Sequence, residues 1–161
     1  AYFVQVASFA RFADRMDLVD FCRDAYRDRL LPRQMRGDGG FPLELARTKP
    51  YGYSIFVLDC MCNLCQLLSA PGNDLWEFET DGKSIRRGLE FLLPYLQDRE
   101  AWPYRKDVMH FEEWPVRLPS MLFAGMALDW PEYLELYRRL PPPKGLEVRR
   151  NVAIRQPLLL L

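Results

Sequence analysis

From Tyr51 to Leu68 the chain is apolar on almost every side of a helix: Ile55, Phe56, Val57, Leu58, Met61, Leu64, Leu67 and Leu68 leave no continuous polar face. Such a helix must be covered on most of its surface. The rest of the chain therefore has to supply helices that pack around it. With 161 residues there is enough material for one domain with a substantial core.

The flanking segments read as helical hairpins. Residues 2–13 place Phe3, Val6, Ala7 and Ala10 at helical spacing. After a short turn at Asp14–Asp17, a second helix runs to Leu31, with Leu18, Phe21, Cys22, Ala25 and Tyr26 inward and Arg23, Asp24, Arg27 and Asp28 outward. Pro32–Pro50 is a long Gly- and Pro-rich connection, of the kind that usually serves function in a compact domain. Beyond the apolar helix, Ala70–Gly82 is turn material. Ser84 is a candidate N-cap for a helix to Leu96. Asp98–Pro119 is a second long loop. Helices near Ser120–Leu128 and Pro131–Leu140 make a further pair before Pro141-Pro142-Pro143. Thirteen prolines punctuate the chain into short helices.

Charge and cysteines exclude several classes. Lys+Arg and Asp+Glu both number 22, so no broad basic surface is available for nucleic acid, although a local cationic cleft is still allowed. No apolar run approaches the roughly 20 residues of a bilayer span. Cys60, Cys62 and Cys65 share one helix without zinc-finger spacing or a second cluster. Together with Cys22 they read as buried small hydrophobes, not as a metal site or disulfide framework. There is no phosphate-binding Gly-rich loop, no Cys/His nucleophile pair and no nucleotide fingerprint.

The candidate chemistry lies in the approach to the apolar helix, Asp38-Gly39-Gly40-Phe41-Pro42-Leu43-Glu44-Leu45-Ala46-Arg47-Thr48-Lys49-Pro50-Tyr51-Gly52-Tyr53-Ser54. Pro50 suits a first helical turn. The free N–H groups of that turn would favour an anion, and Arg47 and Lys49 add positive charge. Cations beside a phenol favour its ionised form, which suits proton exchange with a substrate. The residues thus fit proton abstraction next to a carboxylate. They also fit surface charges beside half-buried tyrosines. Asp38 and Glu44 read as loop-holding residues.

This run resembles the central motif of the alginate lyase family of polysaccharide lyases, and is closer to the branch that includes glucuronan lyases. Trp102-Pro103-Tyr104 with Asp107-Val108-Met109-His110-Phe111-Glu112-Glu113-Trp114-Pro115-Val116-Arg117 resembles a second motif of that branch. The likeness extends from Val4 to about Arg155. It implies an all-α fold in which antiparallel helical hairpins form part of an (α/α) toroid, here an incomplete barrel. It also implies β-elimination of a uronate-containing polymer such as alginate or glucuronan. Tyr53 matches the family's catalytic tyrosine. Arg47 matches its arginine, which steadies the carboxylate or the tyrosine. Substrate contacts are expected from Lys49, Tyr51, Trp102, Tyr104, His110, Glu113 and Trp114; the three loop aromatics either stack on sugars or anchor the loop. No metal or organic cofactor is implied.

Family members carry Asn-Asn-His-Gly ahead of the segment that matches Ala1–Val6, and here that motif falls outside the sequence. Ala1 lies within an apparent helix without a Met or N-cap, and Pro157–Leu161 is an apolar tail. Residues 1–161 therefore read as one truncated domain whose partners are an anionic polysaccharide and the remainder of the same chain, with neither nucleic acid nor membrane. The isolated piece would hold part of the site only. The resemblance implies a periplasmic or secreted protein, although no signal segment is present. Two other readings stay open: a glycoside hydrolase on a similar toroid using Glu112 or Glu113, and a non-catalytic helical carbohydrate-binding or scaffold module.

Overall fold

The computed structural model describes all 161 residues, Ala1–Leu161. It is all-α. The first hairpin pairs α1 (Tyr2–Phe12) with α2 (Met16–Ala25) across a three-residue turn. Val4, Ala7 and Ala10 of α1 and Val19, Cys22 and Ala25 of α2 are buried, the inward stripe expected from the spacing.

The second helix does not stop before Pro32. It passes through a π-helical turn, Tyr26–Leu30, into a last α-helical turn, α3 (Leu31–Gln34). A proline inside a regular helix lacks the N–H and presses its ring on the carbonyl four residues back. The wider turn just ahead removes that conflict, so Pro32 sits near the start of α3 and the chain stays helical. The connection to the apolar helix is therefore shorter than Pro32–Pro50. It contains one helical turn of its own, α4 (Pro42–Leu45).

The apolar helix is α5 (Pro50–Leu68), with Pro50 in its first turn. It packs against α1, α2, α4, α6 (Ile85–Gln97) and α7 (Pro119–Ala127) and is the hub of the fold. Its length and composition would suffice to cross a bilayer, contrary to the impression the sequence leaves, but 78% of that window is buried inside the protein. All four cysteines are free thiols in the core. Three polar residues on α5, Ser54, Asp59 and Asn63, are fully buried as well. Asp59 accepts the Ser120 amide (2.9 Å) and the Asn63 side-chain amide (3.0 Å), and so caps α7 from the side.

Ser84 caps α6 as expected, its hydroxyl accepting the Arg87 amide at 3.3 Å. A two-residue antiparallel ladder, β1 (Glu79–Thr80) with β2 (Lys83–Ser84), precedes it. Asp81 and Gly82 turn the chain with φ of 50° and 69°, the paired left-handed geometry of tight hairpins. α7 pairs with α8 (Pro131–Arg139). The segment after the three prolines is ordered too. It forms α9 (Leu146–Arg150), which returns to the start of α5, and a final 3-10 turn at Pro157–Leu160.

Candidate active site

Two long loops meet at the first turn of α5. The second loop, residues 98–118, carries 3-10 turns at Arg99–Ala101 and Phe111–Glu113. It is stitched to the first loop by the Val108 amide on the Thr48 carbonyl (3.1 Å) and the Arg105 guanidinium on the Arg47 carbonyl (2.6 Å). Asp107 is the main joint. Its two carboxylate oxygens accept the amides of Tyr51 (2.8 Å) and Gly52 (3.0 Å). The open helix N-terminus expected from Pro50 is thus filled by the protein's own carboxylate. It is not a free anion site. Burial raises the Asp107 carboxyl, and the two amides and nearby Lys49 oppose that shift. No local signal marks Asp107 for this task, because its partners lie more than fifty residues earlier in the chain.

Gly52 is required by this joint. A side chain there would come within 2.7 Å of the Trp114 indole nitrogen and 2.9 Å of the Asp107 carboxylate. The second loop therefore lies directly on the backbone of the helix that presents Tyr53.

Tyr53 is half-buried on α5, and its hydroxyl makes no hydrogen bond within the protein. The guanidinium of Arg47 lies over its ring, 4.9 Å from the centroid. Glu44, one turn back on α4, reaches Arg47 at 3.9 Å, so the arginine is held between a carboxylate and a ring face. The Arg47 side chain remains 59% exposed and can meet a ligand. Asp38 does hold the first loop: it accepts the Gly40 amide at 2.9 Å and pairs with Arg36 at 2.7 Å.

The remaining candidates separate by burial. Tyr51 is fully buried, donates its hydroxyl to the Tyr95 carbonyl (2.6 Å) and packs on Trp102 and Phe111. It is a core residue, contrary to its expected substrate contact; burial pushes its phenol well up. Trp102 and Trp114 are buried too and anchor the second loop, so the stacking alternative does not hold for them. Tyr104 is the exposed aromatic of the set, resting on Trp102 and Phe91. Lys49 is tied to Glu147 of α9 at 2.8 Å, with both side chains nearly buried, and Arg150 pairs with the same carboxylate at 2.5 Å. Lys49 thus serves as an internal strut. Its hydrogen bond holds the Glu147 carboxyl below its usual range. His110 has a left-handed backbone (φ 66°) and sets its Nδ1 2.5 Å from Glu113. Glu113 in turn lies against Gly145, where there is no space for a side chain. The partners of α9 were invisible in sequence, because the segment follows three prolines and has no long apolar stripe.

The fold is thus all-α, with two loops meeting beside an Arg–Tyr pair at the head of a buried helix, and comparison with known families gives its class. The family model described as alginate lyase matches residues 1–102, and the chain belongs to that family. The match includes the whole Arg47–Tyr53 run. The fold is similar to the crystal structure of an alginate lyase from Bacteroides ovatus, with a TM-score of 0.70 and 28% identity. That likeness covers 87% of this chain and 37% of the other, so the present chain spans little more than a third of that protein. No curated protein matches the chain.

Proposed function

We propose that this chain forms one wall of the cleft of a polysaccharide lyase that cleaves a uronate-containing polymer, such as alginate or glucuronan, by β-elimination. Cleavage removes the C5 proton of the uronate, places charge on its carboxylate and expels the C4 oxygen. A base, a cation for the carboxylate and an acid for the leaving oxygen are required. Tyr53 is the proton-transfer group: its hydroxyl is unengaged while its ring is fixed. Arg47 grips the carboxylate, for which a guanidinium has the matching two-donor shape. The single observation that carries the reading is the Arg47 guanidinium over the Tyr53 ring, exposed where the two loops meet. Tyr104, His110 and Glu113 lie on the loop beside them and are available for sugar contact. The 161 residues act as one unit within a larger (α/α) toroid.

The hydrolase alternative has less support. Glu112 and Glu113 are adjacent in one 3-10 turn, and Glu113 is engaged by His110. Glycosidase acids instead face one another across the scissile bond. The two chemistries differ in product. Elimination leaves a C4–C5 double bond conjugated to the carboxylate, which absorbs in the ultraviolet. Digestion of uronate polymers by the intact enzyme should raise this absorbance together with reducing ends. Reducing ends without new absorbance would make it a hydrolase.

A further inference from the structure

A cavity of about 360 Å³ opens between the end of the second loop, α8 and the C-terminal segment. That volume lies in the range of small-ligand sites. Arg117, Arg149 and Arg155 all line it, with Gln156 and the Tyr137 ring, and no aspartate or glutamate does. None of the three arginines makes an ion pair anywhere in the protein. Arg117 is fixed in place. Its guanidinium stacks on Tyr137 at 5.5 Å and donates to the Arg138 carbonyl at 3.2 Å. Its Nε is buried and has no acceptor.

Three like charges brought to one concavity without a counter-charge repel one another, and a buried donor without an acceptor costs further free energy. A bound oxyanion supplies the missing counter-charge to the three guanidinium groups. The guanidinium fork selects planar carboxylates, and the prolines and Tyr137 provide apolar walls for a sugar ring. The cavity shares no lining residue with the candidate active site but is connected to it through α9 and the second loop. α9 ties Glu147 to Lys49 at the head of α5 and turns Arg149 into the cavity. The loop that contributes Asp107 to α5 also carries Arg117, just before α7.

We propose that this cavity is a second saccharide subsite, which holds a uronate unit through its carboxylate on Arg117, Arg149 and Arg155. The identity of the ligand rests on the uronate-polymer reading above; the anion site does not. The test is calorimetric titration of the intact enzyme, carrying Tyr53→Phe to prevent turnover, with a uronate hexasaccharide, a neutral glucan hexasaccharide and sodium phosphate. Arg149 and Arg155 are exposed, so the double variant R149Q/R155Q should keep the fold, as circular dichroism will check. The uronate oligomer should bind, the neutral one should not, and the double variant should weaken uronate binding by roughly 10-fold or more, the loss expected for charge-assisted hydrogen bonds. Equal affinity in the folded variant overturns the proposal, as does failure of the Tyr53→Phe parent enzyme to bind the uronate oligomer. Phosphate binding as tight as the oligomer, and lost in the variant, overturns the sugar assignment and leaves a free-anion site. The lyase reading fails separately. If the binding pattern holds but the intact enzyme never yields ultraviolet-absorbing products, the subsite stands and the elimination chemistry falls.

Discussion

The guanidinium of Arg47 rests 4.9 Å from the centre of the Tyr53 ring, at the point where two loops from distant parts of the chain are joined. A cation on a ring face fixes the ring while leaving the hydroxyl edge open. The same cation remains exposed enough to take a carboxylate. Position and charge are thereby set before a substrate arrives, which is where much of the catalytic advantage of such a site would originate.

Asp107 should be the residue on which this arrangement depends. Asp107→Ala removes two charge-assisted hydrogen bonds to the first turn of α5 and should lower stability by roughly 2–3 kcal/mol, above the usual loss of a helix cap. Asp107→Asn retains one acceptor and should fall between the two. Urea denaturation measures both. Stability in Asp107→Ala equal to wild type would mean that the joint contributes nothing.

Much of this was legible in the sequence, and what was not has physical causes. The all-round apolarity of α5 called for a central buried helix, the spacing in α1 and α2 marked their inner faces, and Ser84 marked the start of α6. Pro32 misled because the π-helical turn that accommodates it involves five ordinary residues with no signature of their own. The Arg47–Tyr53 pair was readable because both residues sit in one contiguous motif. Lys49 and Tyr51 share that motif and point elsewhere, one to Glu147 and one to the Tyr95 carbonyl. Neighbouring positions on a helix face different directions, and only the fold decides which one meets the cleft.

Tyr51→Phe should affect stability and not chemistry. The variant keeps the packing against Trp102 and Phe111 but leaves the Tyr95 carbonyl without its donor, at a cost of about 1 kcal/mol. Thermal unfolding should show the loss while kcat stays near wild type. A large fall in kcat would give this buried hydroxyl a role in the reaction that its surroundings do not suggest.

Asp59 should make stability depend on pH. Burial pushes its carboxyl up to about 6, against the hydrogen bonds from Ser120 and Asn63. In the unfolded chain the group titrates near 3.9. The folded state therefore holds an extra proton between about pH 4 and pH 6, and stability falls as pH rises through that window. Above it the buried charge is a cost of roughly 2–3 kcal/mol. Asp59→Asn can still accept the Ser120 amide, and once the Asn63 amide turns over it can donate to the Asn63 carbonyl oxygen in place of the bond it now accepts from the Asn63 NH2 group. Relative to wild type, the variant should gain stability as pH rises from 4 to about 6.5 and then level off. A difference that stays flat with pH would contradict this.

Lys49 should matter for the attachment of α9. Lys49→Met leaves Glu147 with Arg150 alone and should loosen the segment beyond Pro143, at a cost of about 1–3 kcal/mol. Amide exchange in Leu146–Arg150 should accelerate, while α1 and α2 stay protected. Unchanged exchange there would show that packing, and not the ion pair, holds α9.

The most direct test of the central claim is the turnover of the intact enzyme carrying Tyr53→Phe, followed by ultraviolet absorbance on a uronate polymer. The substitution keeps the ring and its contact with Arg47 and removes only the hydroxyl. If Tyr53 transfers the proton, kcat should fall by roughly 10²-fold or more with little change in KM. Arg47→Ala should impair KM and kcat together, since it removes a carboxylate contact made before the transition state and strengthened within it. Near-normal turnover in Tyr53→Phe would contradict the account, whatever the fold.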